Sequence, residues 1–362
     1  SHMSNDLMVY LKTTDTCQLN CNHCFTNGSN GKKGFFDPKA TIDFFRRLKH
    51  LNIYSGRGNI SLHGGEPLLC PKETIFEAWN GIKEIFPEMW WSMQTNLTYK
   101  ITDDKYEIFD KVCEKSWGTS WDYKIRWTDE KQENLWRTNV KNMAEAGHNI
   151  TVMVSLSGNV IRNKEPIEII DDMASLGVKH INFERVTANG NALQFIDQGI
   201  MPSNIELDKL LHRMWEQTKL HQTWKYIDNM FLDSILSSFV YQTYSGCRSR
   251  SCEQKIFTLN ADGTVGGCPN NAIEKTYGRI TDEVATLLSS PNRLCNISSE
   301  MNRDLPCMTC PVFDICNGDC YQLSWQDDIC AAPKSLMTDL KLNSQRDLGL
   351  YKEVLDGFMG QE

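Results

Sequence analysis

The 362-residue chain contains no apolar run approaching the roughly 18 to 20 residues a bilayer span needs, and no charged segment with an apolar core opens it. Membrane insertion and export therefore find no support, and the expected location is the cytoplasm. Basic residues are in deficit, 38 Lys and Arg against 46 Asp and Glu, for a formal charge of -8. A long nucleic-acid partner is disfavoured, because affinity for a phosphate backbone comes mostly from Lys and Arg. No internal repeat and no low-complexity tract is visible, and 40% hydrophobic with 23% charged residues is the ordinary balance of a folded, soluble chain. Ser1 and His2 ahead of Met3 read as the remnant of a cleaved tag and carry no argument. What the chain has in excess is cysteine, with 14 residues. A reducing compartment keeps thiols free, so metal is the expected use rather than disulfides.

The length suits a barrel-sized domain followed by a smaller one. Strand-like and helix-like segments alternate from the start. The strands are 7 to 14, 59 to 65, 90 to 95, 117 to 121, 150 to 156 and 178 to 186, and the helices are one that starts at Pro38 and others near 72 to 86, 103 to 113, 130 to 146, 166 to 175 and 204 to 219. Asp37 and Pro38 form an N-cap and first-turn pair for a helix with Ile42, Phe45 and Leu48 on its apolar face. Such alternation predicts parallel strands joined by crossover helices, here an open, partial (β/α)6 barrel of the TIM type over 3–219, with its chemistry at the C-terminal strand ends. A helical bridge follows over 220–246, then a cysteine-rich domain over 247–337 where helices are scarce, and a helical tail over 338–362.

Just after the first strand, Cys17, Cys21 and Cys24 form C-x3-C-x2-C. Soft thiolates at this spacing suit zinc or an iron-sulfur cluster. Structural zinc wants a fourth ligand, and His23, lying between two of the cysteines, is awkwardly placed to supply it. Three thiolates on a four-iron cluster leave one iron open to another molecule.

The run resembles the cluster loop of the radical S-adenosylmethionine (SAM) enzymes, with His23 where that family usually carries an aromatic residue. The resemblance implies that SAM chelates the open iron through its amino and carboxylate groups. Reduction then yields a 5'-deoxyadenosyl radical that takes a hydrogen atom from substrate, the protein supplying position and exclusion. Further segments match in order. Gly64, Gly65, Glu66 and Pro67 resemble the family's GGEP segment, which holds the SAM amino group; independently, paired glycines let backbone approach a ligand and a carboxylate pairs an ammonium. Gln94 and Asn96 after the third strand, Ser120 and Asp122 after the fourth, and Arg185 in FERVTANGNA after the sixth resemble segments that line the SAM site.

The C-terminal cysteines read C-x10-G-x4-C for Cys252, Gly263 and Cys268, then C-x2-C-x5-C-x3-C for Cys307, Cys310, Cys316 and Cys320, with Cys330 beyond. By spacing alone a pair of zinc sites is the other reading. The pattern is similar to the seven-cysteine SPASM domain, which implies two auxiliary 4Fe-4S clusters and three clusters in all. Carried over by position, the first auxiliary cluster takes Cys252, Cys268 and Cys320 with Cys247 as upstream fourth ligand, and the second takes Cys307, Cys310, Cys316 and Cys330. Cys70, Cys113 and Cys295 are left over and read as small buried hydrophobes. Fully ligated auxiliary clusters imply electron acceptance from a substrate radical, hence a net oxidation or crosslink.

The implied substrate is a peptide or protein side chain, as in maturation of ribosomally made peptides, with a reductant such as flavodoxin or ferredoxin. Because the barrel begins at once, leader recognition is expected to use a separate binding protein or a short direct contact. Trp117, Trp121, Trp127 and Trp136, with Trp90 and Trp91, are candidates for an aromatic groove wall, or for core. The alternatives are a dehydrogenase of a sugar or nucleoside and, from another class, a non-catalytic iron-sulfur electron carrier. Pro269 stands where sulfatase maturases place an aspartate base, which counts against that activity. Asp262, Asp319 and Glu184 are carboxylates near the expected sites, and none is assigned as the base.

Overall fold

The computed structural model describes residues 6–15, 34–122, 129–187, 201–271 and 274–362. Strand β1 (Leu7–Thr14) shows how the barrel is built: Leu7, Val9 and Leu11 are fully buried under the helices, and Met8, Tyr10 and Lys12 alternate onto the opposite face. Helix α1 (Pro38–Leu51) starts where Asp37 accepts hydrogen bonds from the Lys39 and Ala40 amides, and it ends at Asn52 in the left-handed region. Its buried face carries Thr41, Phe44, Phe45 and Leu48, while Ile42 is half-buried against Gly81 of the next helix.

The alternation then proceeds as the sequence predicts, through β2 (Gly58–Gly64), α2 (Lys72–Ile85), β3 (Met89–Thr95), α3 (Asp103–Glu107), β4 (Ser116–Trp121), α4 (Glu130–Glu145) and β5 (Asn149–Ser155). There follow α5 (Gly158–Asn163), α6 (Pro166–Ser175), β6 (His180–Glu184), α7 (Asn204–His221), β7 (Asp228–Asn229) and α8 (Met230–Tyr241). Three details differ from expectation. The third helix widens into a π-helical turn over Ile108–Val112, α5 is an additional short helix capped by Ser157, and β6 is shorter than 178 to 186.

The larger difference lies in the cysteine-rich segment, which joins the barrel's own sheet. β8 (Ile256–Leu259) pairs parallel with β1, and β9 (Thr264–Gly266) and β10 (Gly278–Arg279) continue antiparallel, giving the order β10-β9-β8-β1-β2-β3-β4-β5-β6-β7. Helices are also commoner here than expected: α9 (Val284–Leu288), α10 (Pro291–Met301) and α11 (Phe313–Cys316) precede α12 (Lys334–Leu342) and α13 (Ser344–Met359). Buried Phe257 on β8 meets Phe44 edge-on at 5.9 Å and Tyr54 at 6.4 Å, and Arg47 of α1 donates to the carbonyls of Ile280 and Asp282 at 2.5 and 2.6 Å. The tail docks on the barrel helices through His212 with Asp339 at 2.8 Å and through Tyr351 between Trp215 and Phe239. Among the described residues no helix is long and apolar enough to cross a membrane.

Because Phe257 bridges the two regions, Phe257→Ala is expected to cost about 3–5 kcal/mol. It should shift tyrosine-tryptophan and backbone probes of denaturant unfolding together; separate transitions would show that the regions unfold independently.

Candidate active site and cluster cavities

The inward faces of the parallel strands enclose a cavity of about 580 Å³. Parallel register places like with like around it: Tyr10 beside Ser61, Lys12 beside His63, Ser61 beside Ser92, Gln94 beside Gly118, Ser120 beside Met153 and Ser155 beside Glu184. Most outward residues of the same strands are apolar and buried, Thr95 and Thr119 among them being buried and polar, while the inward positions carry several polar side chains, Ser61, Ser92, Gln94 and Ser120 among them. His63 lies edge-on to Tyr10 at 4.9 Å; burial, reinforced by the Lys12 charge, pushes its pKa down to about 3, so the imidazole is neutral. Burial pushes the Tyr10 phenol upward, assisted by nearby Cys268 and Glu184.

Six of the sequence-predicted SAM-site residues line this cavity: Gly64, Gly65, Gln94, Asn96, Ser120 and Arg185. Gly64 is required there. Its φ is 148°, and a Cβ would lie 2.3 Å from the Thr14 carbonyl oxygen, while the Gly65 amide donates to that same oxygen at 2.9 Å. The glycine pair is thus pinned to the end of β1, next to the segment that carries Cys17, Cys21 and Cys24. Those three cysteines lie outside the described residues. Gln94 lies over Gly118, where a Cβ would meet its Oε1 at 2.5 Å, and donates through Nε2 to Ser120 Oγ at 2.7 Å.

Three predicted residues stand behind the wall. Glu66 is buried and accepts from Thr95 Oγ1, the Asn96 amide and the Leu68 amide, each at 2.7 Å. Its carboxylate caps the turn Pro67–Leu69 and ties the end of β2 to the end of β3. Burial pushes its pKa up against these three donors and the nearby Lys105 charge. Pro67 is buried in that turn, its carbonyl accepting from Thr13 Oγ1 at 2.8 Å. Asp122 is buried and accepts from the Ser155 amide at 3.3 Å. Arg185 reaches the cavity, but its guanidinium is committed elsewhere: it forms a bidentate pair with Asp319 at 2.8 Å on both arms and donates to the Ala331 carbonyl at 3.1 Å.

The cysteines fall into the two expected groups. Cys247, Cys252, Cys268 and Cys320 line the barrel cavity, and Cys307, Cys310, Cys316 and Cys330 line a second cavity of about 1140 Å³ that Cys320 also borders. Cys247, outside the seven-cysteine pattern, receives hydrogen bonds from Cys252 and Cys320. Those bonds, with the Arg185 charge beyond them, hold its thiol below the ordinary cysteine range. Burial pushes Cys268 and Cys316 up to about 12. Among the described residues no three His, Cys, Asp or Glu side chains are grouped to grip a single metal ion. Four thiols spread around a shared cavity fit a multi-iron cluster, whose ligands attach at separate corners. Of the leftovers, Cys70 and Cys113 are buried thiols pushed up to about 12 by desolvation, whereas Cys295 is exposed on α10, against expectation.

Among the described residues no tryptophan lines the barrel cavity. Trp91, Trp117, Trp121 and Trp136 are core, with indole N–H groups of the last three bonded to His148, Glu133 and Thr119; Trp90 is exposed, and Trp127 lies outside the described residues. Asp262 caps its own turn by accepting from Thr264. Residues that the sequence reading passed over line the cavity instead, among them Lys12, His63, Glu253, Glu300 and Tyr321. Glu253 accepts from the Cys268 amide at 3.0 Å, and its own amide donates to Glu300 Oε1 at 3.0 Å, so both buried carboxylates brace the cysteine backbone. The period-two placement of Tyr10, Lys12, Ser61 and His63 was a usable signal for the lumen; Glu253 and Glu300 are distant in sequence and carried none.

No family model and no curated protein sequence matches the chain. Solved structures do. Native anSMEcpe with bound AdoMet superposes with a TM-score of 0.76 at 16% identity, covering 96% of this chain and 100% of that one. The form with AdoMet and the Cp18Cys peptide gives 0.75 at 16%, covering 97% and 99%. Streptococcus suis SuiB bound to precursor peptide SuiA gives 0.60 at 14%, covering 88% and 73%. At these identities the likeness is one of fold alone.

Replacing Glu66 by Gln turns an amide NH2 toward one of three fixed donors, so Glu66→Gln is expected to lower stability by about 1–3 kcal/mol. An unchanged denaturation midpoint would show that the carboxylate does not clamp β2 to β3.

Proposed function

We propose that the chain is a radical SAM oxidoreductase that removes hydrogen from a peptide or protein side chain and completes a net oxidation or crosslink. The observation that carries this reading is one continuous wall: Gly64, Gly65, Gln94 and Ser120 at the strand ends share a cavity with Cys247, Cys252, Cys268 and Cys320. When bound, SAM and the three clusters would supply the 5'-deoxyadenosyl radical and the route by which an electron leaves. The chain's residues do the rest. Cys17, Cys21 and Cys24 are proposed to hold the first cluster, Cys247, Cys252, Cys268 and Cys320 the second, and Cys307, Cys310, Cys316 and Cys330 the third.

Gly64 and Gly65 would present backbone to the SAM amino group, placed by the Glu66 clamp and by Thr14, while the Gln94–Ser120 pair offers hydroxyl and amide groups at the next two strand ends. The buried shell excludes water from the lumen. A peptide substrate is supported by the two similar folds solved with peptides, Cp18Cys and SuiA. The polar side chains of Ser61, Ser92, Gln94 and Ser120 on the cavity wall favour a second reading, a small polyol such as a sugar or nucleoside.

Anaerobically reconstituted protein is expected to be brown, with about twelve iron atoms per chain. Reduced with dithionite, it should release 5'-deoxyadenosine from SAM. With a peptide encoded beside its gene, the product should be lighter by two hydrogen atoms. SAM cleavage with the peptide unchanged and a sugar or nucleoside oxidised would select the second reading; a fully loaded protein that cleaves no SAM would sink both.

A further inference from the structure

The two cysteine groups are joined by the shortest possible bridge, Asn317-Gly318-Asp319 between Cys316 of the second cavity and Cys320 of the first. All three residues adopt left-handed backbone, with φ of 55°, 85° and 55°. Two of them are not glycine, so the conformation must be held from outside. Arginines hold it. Arg185 pairs with Asp319, Arg250 donates to the Gly318 carbonyl at 2.6 Å, Arg303 donates to Asn317 Oδ1 at 3.0 Å, and the Arg248 carbonyl accepts from Asn317 Nδ2 at 2.6 Å.

Arg248 and Arg250 are only 4% and 6% exposed, yet neither has a carboxylate within ion-pair distance among the described residues. Arg250 is spent on the carbonyls of Glu300, Asn302 and Gly318, and Arg248 donates to Ser234 and Ser238. The Nε atoms of both are buried without a partner. Asp319, whose charge reaches Arg248, already serves Arg185. A buried cation without a counter-ion is costly, and in a chain of net charge -8 with carboxylates to spare the arrangement calls for an anion that the polypeptide does not provide. A four-iron cluster with four thiolates is a net anion, and the Arg248 charge is felt by Cys247 of one cysteine group and Cys316 of the other, the Arg250 charge by Cys307.

We infer that Arg248, with Arg250, is a positioning residue for the two auxiliary clusters: its buried guanidinium supplies their counter-charge and raises their reduction potentials, while the Arg250 side chain also holds the bridge between them at the Gly318 carbonyl. This rests on the assignment of those clusters above. A positive charge near a cluster favours its reduced, more negative form, so removing it moves the potential downward.

The test is an EPR-monitored redox titration of reconstituted full-length protein, wild type against Arg248→Met, Arg248→Gln and Arg248→Lys, with iron content and 5'-deoxyadenosine release measured alongside. The neutral variants should titrate at more negative potential or lose auxiliary-cluster iron, the lysine variant should recover the wild-type value, and 5'-deoxyadenosine release should stay within about two-fold, since Arg248 lies away from the strand ends. Full cluster load with unchanged potentials in a neutral variant overturns the inference. If neither neutral variant folds, recovery by lysine alone still supports a charge requirement, and failure of lysine as well counts against it. Wild-type protein that binds no auxiliary clusters would instead defeat the underlying assignment, and that result is read from its iron content before any variant is made.

Discussion

The structure depends on the pairing of β8 along β1. β1 is the strand from which the N-terminal cysteine segment departs, and it is hydrogen-bonded on one side to β2 and on the other to β8. A short parallel ladder from Met8 to Leu11 therefore fixes the cysteine-rich region to the strand that precedes the first cysteine run in the sequence. Phe257 beneath it and Arg47 beside it prevent the ladder from acting as a hinge. With β8 in place, Cys252 and Cys268 on its flanking segments come to the barrel mouth, and one cavity spans both regions.

Around that frame the polar groups behave in two ways. Those facing the lumen are strand residues at alternate positions, held by register and shell packing. A second set, Glu66 and Asp122 behind the wall and Glu253 and Glu300 in it, are buried carboxylates whose hydrogen bonds go to backbone amides at strand ends and cysteine loops. Buried acids are tolerated because each is satisfied, and their effect is to fix backbone that a ligand would touch. The arginines that hold Asn317-Gly318-Asp319 do the same work with opposite charge.

Much of this was legible in the sequence. Alternating strand and helix signals placed six barrel strands within a few residues, and Asp37-Pro38 located the start of α1 because cap chemistry is local. The cysteine spacing separated two groups that the structure also separates, including Cys247, which no spacing rule covered. What failed was long-range. Nothing in Ile256–Leu259 announces that its partner is β1, so the C-terminal region read as a separate domain. Arg185 lies at a strand end like its neighbours, and only folding reveals Asp319 beside it. The tryptophans follow the same logic: their positions fit a groove or a core, and the indole partners Thr119, Glu133 and His148 decide for core.

The central claim is that two pre-shaped cavities, each ringed by four cysteines, hold iron clusters whose counter-charge comes from buried arginines. Iron anomalous scattering from crystals of the anaerobically reconstituted chain tests it most directly. The account predicts separate iron peaks within the cavity of Cys247, Cys252, Cys268 and Cys320 and within that of Cys307, Cys310, Cys316 and Cys330. Iron confined to the N-terminal cysteine segment, or zinc scattering in either cavity, would contradict it.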